Sequence, residues 1–448
     1  MKLTLGEIAQ AVNGKLTDES NKNGWVSGLF LDSREAAPGR MFVAIKGEKT
    51  DAHIFVNTVI EKGCFALIDN PDYLTDNAVL VGNTRNALQT LALKYRTERL
   101  SSTKVIAVTG SVGKTSTKDM VALAVSAGMT VGKTQDNKNS QIGLPLTILE
   151  AEPVNRALIL EAGMSEEGEM SRLSEIARPD IAMITNIGYS HIETLGCREN
   201  ICAQKLAIAD HMPKEGVLIL NGDESLLRGY NGYARRIYCS VNDSNSDCYA
   251  SDIKQEDDST RFIAHVLGKT VEVSLKALGK HIVANALFAL TAAVLLNVDI
   301  AQAAKKLATF KSSGLRQRIY EKDGYTIIAD CYNAAPESMA AALSVLGTKS
   351  GRKIAVLGDM LELGDYALQL HEEVGQLVLE NKTDILVTFG SLAKHIAFYA
   401  GGKIEVYSFE ENEYDKAAGL LKALIKPGDT VLYKASNRMN LSKLINLV

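Results

Sequence analysis

The segment "VIAVTGSVGKTSTKDM", Val105 to Met120, limits the architecture of this chain more than any other stretch. An apolar run ends in a glycine-bearing turn, and a lysine followed by two hydroxyl residues opens a helix-length stretch. Such a turn holds an anion by pointing backbone N–H groups at it, with the helix N-terminus adding partial positive charge. Gly110, Ser111, Val112 and Gly113 are therefore expected to wrap a phosphate. Lys114 would neutralise β- and γ-phosphates, and the Thr115 hydroxyl, next to Ser116, would reach Mg2+. The widespread form of this loop has a glycine where this chain has Val108. The pattern here is T-G-x-x-G-K-T-[ST], from Thr109 to Ser116. It reads as a site for a nucleoside triphosphate.

A strand that feeds a helix through such a loop belongs to a mostly parallel sheet with helical crossovers. The runs that follow fit that architecture: "RALILEAG", "DIAMITNIG" and "GVLILNGD" are short, apolar and separated by helical stretches. At 448 residues the chain exceeds one ordinary core, and three α/β units are expected. Residues 1–100 form a small unit with "MFVAI", "CFALID" and a charged helix, "NALQTLALKYRTERL". Residues 101–313 form the central nucleotide-binding unit. The polar stretch "VNDSNSDCYASDIKQEDDSTRF" inside it reads as a surface excursion or small hairpin. Residues 314–448 restart with "YTIIADCYN", "RKIAVLGDM", "DILVTFGS" and "DTVLYKAS", four runs of a Rossmann-like unit. Sites in such sheets lie beyond the carboxyl ends of the strands.

Composition excludes several classes. Hydrophobic residues make up 46% and charged residues 23%, the balance of a soluble globular chain. A net charge of -4 argues against nucleic-acid binding, which calls for a basic face. No apolar run is long enough to span a membrane. The N-terminus, with its lone Lys2, reads as the start of an amphipathic helix and not as a signal peptide. Six cysteines in no C-x-x-C pairing read as reduced thiols, and a cytoplasmic location is expected.

Three residues beyond the loop stand out. Glu161 ends the strand "RALILE", where a phosphate-loop enzyme places a metal-binding carboxylate. His191 follows another strand end, and a lone histidine there serves a loop or core more often than a metal. Lys205 sits among apolar neighbours in "RENICAQKLAIADHM". It either snorkels, pairs with an acid, or stays deprotonated through burial near a metal. Spacing leaves these open.

Together these segments resemble the Mur ligases of peptidoglycan precursor synthesis. The resemblance rests on "TGSVGKTST", "ILEAGMSEEGEM", "ITNIGYSHIETLG", the helix with Lys205, "GKHIVANALFAL" and "SSGLRQR", and extends over nearly the whole chain. The family forms amide bonds with ATP through an acyl phosphate, which converts a poor carboxylate electrophile into one with a good leaving group. The resemblance implies ATP and Mg2+, with Lys114 on the phosphates, Thr115 and Glu161 on one Mg2+, and His191 helping to bind a second. It also implies that Lys205 is carbamylated by CO2, that Asn285 and Arg316 contact the nucleotide, and that Asp330 contacts the ribose. Asp32, Ser33 and Arg34 match the family's uridine-nucleotide motif, and Asn137 and Asn139 its substrate-contacting loop. A monomer is implied as well.

The C-terminal motifs "ADCYNAAPES" and "AVLGDMLELGDYALQLHEEVG" resemble the MurF-type branch. That branch adds D-alanyl-D-alanine to a UDP-N-acetylmuramoyl-tripeptide, and Tyr332 and Asn333 would then lie near the dipeptide. The chain departs from the pattern at Ser140, Ala207, Ala329, Ala335 and Asn437, mainly where the acceptor would be recognised. Two other readings stand beside this one. The first is a paralogue taking D-Ala-D-Ser, D-Ala-D-Lac or another acceptor, and the second is a nucleotide-binding scaffold without turnover. A folylpolyglutamate synthase lacks a unit such as the one preceding this loop.

Overall fold

The computed structural model describes residues 3–312 and 314–448. The chain is mixed α/β and built on three main sheets, each mostly parallel. The first orders its strands Lys15–Leu16, Ala78–Leu80, Phe65–Ile68, Met41–Val43 and Leu29–Phe30. The helix Thr84–Glu98 leaves this sheet and docks on the next unit. Its Tyr95 hydroxyl donates to the Ala151 carbonyl at 3.1 Å, and Arg96 Nε donates to the Ala177 carbonyl at 3.0 Å.

The central sheet has nine strands. Lys104–Thr109 lies in its interior between Ile181–Ile184 and Ala157–Glu161, and Val131–Lys133 closes that edge. The chain steps to one side of Lys104–Thr109 for two strands and then crosses to the other side. Strand order therefore reverses beside this strand, and the crevice at its carboxyl end is where ligands of such sheets bind. Alternation along the strand sends Val105 and Ala107 to one apolar layer and Ile106 and Val108 to the other. The helices Lys114–Val125 and Lys280–Leu295 cover the second layer.

Of the two readings of the polar stretch, surface excursion or small hairpin, the second holds: its strands pair as a hairpin that is built into this sheet. Cys248–Gln255 pairs in parallel with Arg235–Ser240 and antiparallel with Thr260–Val266, and Lys269–Leu275 completes the edge. A register shift between Ser251 and Lys254 marks an irregularity in the pairing. This antiparallel end of the sheet leaves part of one face open to water, so the polar composition of Cys248–Gln255 imitates a loop although the strand is paired on both sides.

The C-terminal sheet has six strands, in the order Arg318–Lys322, Tyr325–Ala329, Thr430–Lys434, Lys353–Gly358, Ile385–Phe389 and Glu405–Phe409. Four are the expected apolar runs. The two edge strands are half-buried or exposed along their length, with charges at Arg318, Glu321 and Lys322 in one and at Glu405 in the other, and do not read as apolar runs. One apolar cluster is continuous across all three sheets, from Met41 and Leu67 through Val105 and Leu158 to Ile328 and Leu357. Among the described residues no helix is long and apolar enough to cross a membrane.

Candidate active site

The loop after Lys104–Thr109 is shaped by two glycines. Gly110 holds φ +147° and Gly113 holds φ +81°, both in the region that disfavours a Cβ. The helix begins at Lys114, and Lys114 Nζ folds back to donate to the carbonyls of Gly110 at 2.9 Å and Ser111 at 3.0 Å. Burial lowers the Lys114 pKa and Arg316 pushes it further down, while Glu161 opposes them.

The loop does not hold itself. Val112 N–H donates to Asn186 Oδ1 at 3.0 Å, Thr185 Oγ1 donates to the Val112 carbonyl at 2.6 Å, and Gly188 N–H donates to Ser111 Oγ at 2.8 Å. Thr185 and Asn186 went unnoticed in the sequence. Their signal is their place, directly after the strand Ile181–Ile184 that lies beside the loop strand.

The loop opens into a cavity of about 600 Å³ between the central and C-terminal sheets. Ser111 through Ser116, Asn139, Glu161, His191 and Asn285 line it from the central side. Arg316, Asp330, Tyr332 and Asn333 line it from the other. These predicted residues, separated by more than 200 positions at the extremes, share one space.

Glu161 is buried, and its Oε1 accepts a hydrogen bond from Asn139 Nδ2 at 2.8 Å. Its Oε2 is buried without a hydrogen-bond partner. Lys118, also buried, stands 3.9 Å from that oxygen and donates to the Thr134 carbonyl at 2.9 Å. Lys118 was missed in the sequence; it lies one turn beyond Lys114 and so on the same helix face.

The donors suit Mg2+. Glu161 offers an unpartnered carboxylate oxygen and Thr115 a hydroxyl at the first turn of the helix. Among the described residues no group of three or more His, Cys, Asp or Glu is placed to hold a metal. That sparse donor set matches an ion that keeps several waters and shares phosphate oxygens.

Lys205 is fully buried and has no acid within ion-pair distance among the described residues. It therefore neither snorkels nor forms an ion pair. Burial and the charge of Lys114 push its pKa well below the ordinary lysine value. It does not line the cavity wall. An uncharged buried amine is the form that reacts with CO2, and a carbamate there would face the charge of Lys114.

On the C-terminal side, Asp330 follows the strand Tyr325–Ala329 and Lys434 ends the adjacent parallel strand Thr430–Lys434, which pair Ala329 with Tyr433. Lys434 Nζ donates to Asp330 Oδ2 at 2.7 Å and to the Asn333 carbonyl at 2.9 Å. Asp330 Oδ1 also accepts the Gln317 N–H at 3.1 Å. The Arg316 guanidinium sits 3.5 Å from the centre of the Tyr332 ring, a cation–π contact. His191 Nδ1 is 2.9 Å from Glu362 Oε2 of the C-terminal sheet unit, and this pairing holds the Glu362 carboxyl below its ordinary range.

The remaining predicted residues lie apart. Asp32 caps a short turn, Ser33–Glu35, and its carboxylate holds the Arg34 guanidinium, with Nε at 2.8 Å. Burial plays little part there; hydrogen bonds from Arg34 hold the Asp32 pKa at about 2. Asn137 does not line the cavity, whereas Ser140 and Ala335 do, and Asn437 is exposed in the turn Asn437–Met439.

Comparison with known proteins supplies a family. Residues 108–293 match the model of the Mur ligase middle domain, and residues 316–437 match the Mur ligase, glutamate ligase domain. The chain belongs to the Mur ligase family. The matches cover both walls of the cavity. A Bacillus subtilis relative, UDP-N-acetylmuramoyl-tripeptide--D-alanyl-D-alanine ligase, is 37% identical over 99% of this chain and 98% of its own length. MurF from Acinetobacter baumannii superposes with a TM-score of 0.91 at 29% identity, covering 100% of this chain and 98% of that one. A Thermotoga maritima MurF ligase, solved in complex with ADP, gives a TM-score of 0.84 at 28% identity over 94% and 96% of the two chains. This Mur ligase thus shares the full three-sheet architecture of MurF proteins.

Proposed function

We propose that this protein is an ATP-dependent ligase that joins D-alanyl-D-alanine to a UDP-N-acetylmuramoyl-tripeptide through an acyl phosphate. One observation carries the reading. A phosphate loop with a strand-end carboxylate faces the Tyr332–Asn333 motif of a second unit across a single cavity, in a chain similar to MurF ligases over its full length.

The residues have separable tasks. Gly110 to Ser116 and Lys114 bind the triphosphate of ATP, and Asn285 and Arg316 add contacts to the nucleotide. Thr115, Glu161 and His191 would hold Mg2+, with Lys205 contributing once carbamylated. Bound there, the metal supplies charge neutralisation on the phosphates. The tripeptide carboxylate attacks the γ-phosphorus, and ADP leaves. Such transfers depend mainly on positioning and charge stabilisation. The dipeptide amine then attacks the acyl carbon and phosphate leaves, with one proton lost from the nitrogen. Asp330 is held in place by Lys434 for the ribose, and Tyr332 and Asn333 face the incoming dipeptide. Asp32, Ser33 and Arg34 bind the uridine nucleotide, and Asn137 and Asn139 contact the tripeptide. The reading extends to a cytoplasmic monomer, and light scattering tests its mass.

Phosphate release is expected to require ATP, the UDP-linked tripeptide and the dipeptide together. Release that continues at the same rate without the dipeptide sinks the reading. Ala335, on the cavity wall where the family pattern has Asn, favours one alternative, a different acceptor. Competing D-Ala-D-Ala, D-Ala-D-Ser and D-Ala-D-Lac in one reaction, with products weighed, separates the two.

A further inference from the structure

The central and C-terminal units meet along a short seam beside the cavity. The central side is the segment 187–193, which follows the strand Ile181–Ile184. The other side is Glu337, in the first turn of the helix Pro336–Gly347, together with the segment 362–366. Four contacts cross it. Glu337 Oε1 accepts the Tyr189 N–H at 3.0 Å. Glu362 Oε2 lies 2.9 Å from His191 Nδ1. The Glu362 carbonyl accepts the Glu193 N–H at 3.4 Å. The rings of Tyr189 and Tyr366 stand 6.2 Å apart.

Two features set the Glu362–His191 pair apart from an ordinary surface ion pair, which contributes little. Both residues hold φ +64°, an uncommon backbone state for residues with a Cβ. Each is thus turned toward the other at a cost that the contact must offset. The Glu362 side chain is 63% exposed, so it is not a support of the apolar core. Its one side-chain partner among the described residues is His191, a cavity-lining residue from the other unit.

We propose that Glu362 is a positioning residue that fixes the His191 ring from across the seam, so that His191 is aligned only when the C-terminal unit is closed on the central one. A histidine that ligates a metal gives its other ring nitrogen to a carboxylate or carbonyl, which sets the ring's orientation. Here that carboxylate belongs to a different unit. Assembly of the site and closure of the seam become one event, with Glu337 and Tyr189 as a second clasp that keeps the register. The inference rests on His191 being a site residue of the proposed ligase.

The test uses the full chain with ATP, Mg2+, the UDP-linked tripeptide and the dipeptide. Glu362→Ala is expected to lower kcat about 10- to 100-fold. The KM for ATP should stay within about twofold, because the phosphate loop is held by Thr185, Asn186 and Gly188, all contacts within the central unit that do not pass through Glu362. Glu362→Gln, which keeps an acceptor for Nδ1–H, should recover part of the loss. The double variant His191→Ala, Glu362→Ala should be no slower than His191→Ala alone. Small-angle scattering of the substrate-loaded Glu362→Ala protein should give a larger radius of gyration than wild type, with an unchanged thermal midpoint. A Glu362→Ala enzyme with wild-type kcat, beside a crippled His191→Ala enzyme, overturns the positioning role alone. If His191→Ala keeps wild-type kcat, the assignment of His191 itself falls, and the positioning role falls with it. Additive losses in the double variant also overturn the proposal.

Discussion

Lys118 shows how a buried side chain can escape a sequence reading. In "GKTSTKDM" it looks like any helix lysine, because nothing local distinguishes a solvated ammonium from one that points inward. Beside its neighbour Asp119 at 3.4 Å, its inward partners are Thr134 and Glu161, which reach it through the fold. Lys114 was legible because the loop motif fixes its place whatever the surroundings. Replacing Lys118 by Met removes the buried ammonium that stands 3.4 Å from Asp119 Oδ1 and 3.9 Å from Glu161 Oε2, and leaves Lys114 as the cation acting on Glu161. Breaking a buried pair in this way costs about 3 kcal/mol. Chemical denaturation should register that loss, and wild-type stability in Lys118→Met would show that the pair is energetically idle. Glu337 gives a residue-scale pH prediction. Burial raises its carboxyl pKa and Glu224 adds to the rise, while its own N–H, the Tyr189 N–H and Arg198 oppose it. A raised folded pKa means that the native state binds more protons than the unfolded state just above the ordinary carboxylate value. The group's contribution is therefore fully present below that value and is lost as pH rises through the folded pKa. Glu337→Gln keeps an acceptor for the Tyr189 N–H and removes the ionisation. Its stability relative to wild type should be greater at about pH 7 than at about pH 4. Parallel denaturation curves at both pH values check the sign, and a difference that does not change with pH defeats it.

At the scale of elements, strands buried on both faces were legible and strands with an open face were not. Lys104–Thr109 and Ala157–Glu161 are buried on both faces and read as apolar runs bounded by turn residues. Cys248–Gln255 is paired on both sides yet largely half-buried or exposed, near the open antiparallel end of the sheet, and its Asp, Lys and Gln residues disguised it. The phosphate loop was legible as a motif, yet its rigidity comes from the neighbouring strand end. Gly110 shows the dependence. A Cβ built there would fall 1.9 Å from Thr185 Oγ1, and the residue holds φ +147°. Gly110→Ala must therefore distort either the loop or the Thr185–Val112 hydrogen bond that anchors it. ADP affinity measured by calorimetry should fall by at least about tenfold, the loss of one charge-assisted hydrogen bond. Unchanged affinity would mean that the loop tolerates the displacement and that Thr185 is not its anchor.

At the scale of the whole molecule, the sequence separated the three units but said little about how they meet. Each unit announces itself through its own strands, whereas the seam depends on single residues 148 positions apart, such as Glu337 and Tyr189. Glu337 sits in "AAPES", a stretch that also reads as a simple strand-to-helix turn. Only packing shows that its carboxylate crosses to the central unit. Gly188 makes that crossing possible. A Cβ there would stand 2.3 Å from the Glu337 carboxylate carbon, so the glycine leaves room for the acid to reach the Tyr189 N–H. Gly188→Ala should drive the Glu337 carboxylate off the Tyr189 N–H and so loosen the hold of the seam on the helix Pro336–Gly347, and with it on Tyr332 and Asn333. A displacement of about 1 Å between reacting groups costs about 100-fold in rate. The variant should lose kcat on that order and show a raised KM for the dipeptide. Its ADP affinity should hold, because the contacts of Thr185 and Asn186 to the loop lie wholly within the central unit. A parallel fall in ADP affinity would instead place the damage at the Gly188 to Ser111 hydrogen bond, inside the central unit. Kinetics and calorimetry on one preparation therefore decide whether the cavity works as two walls brought together or as a single preformed pocket.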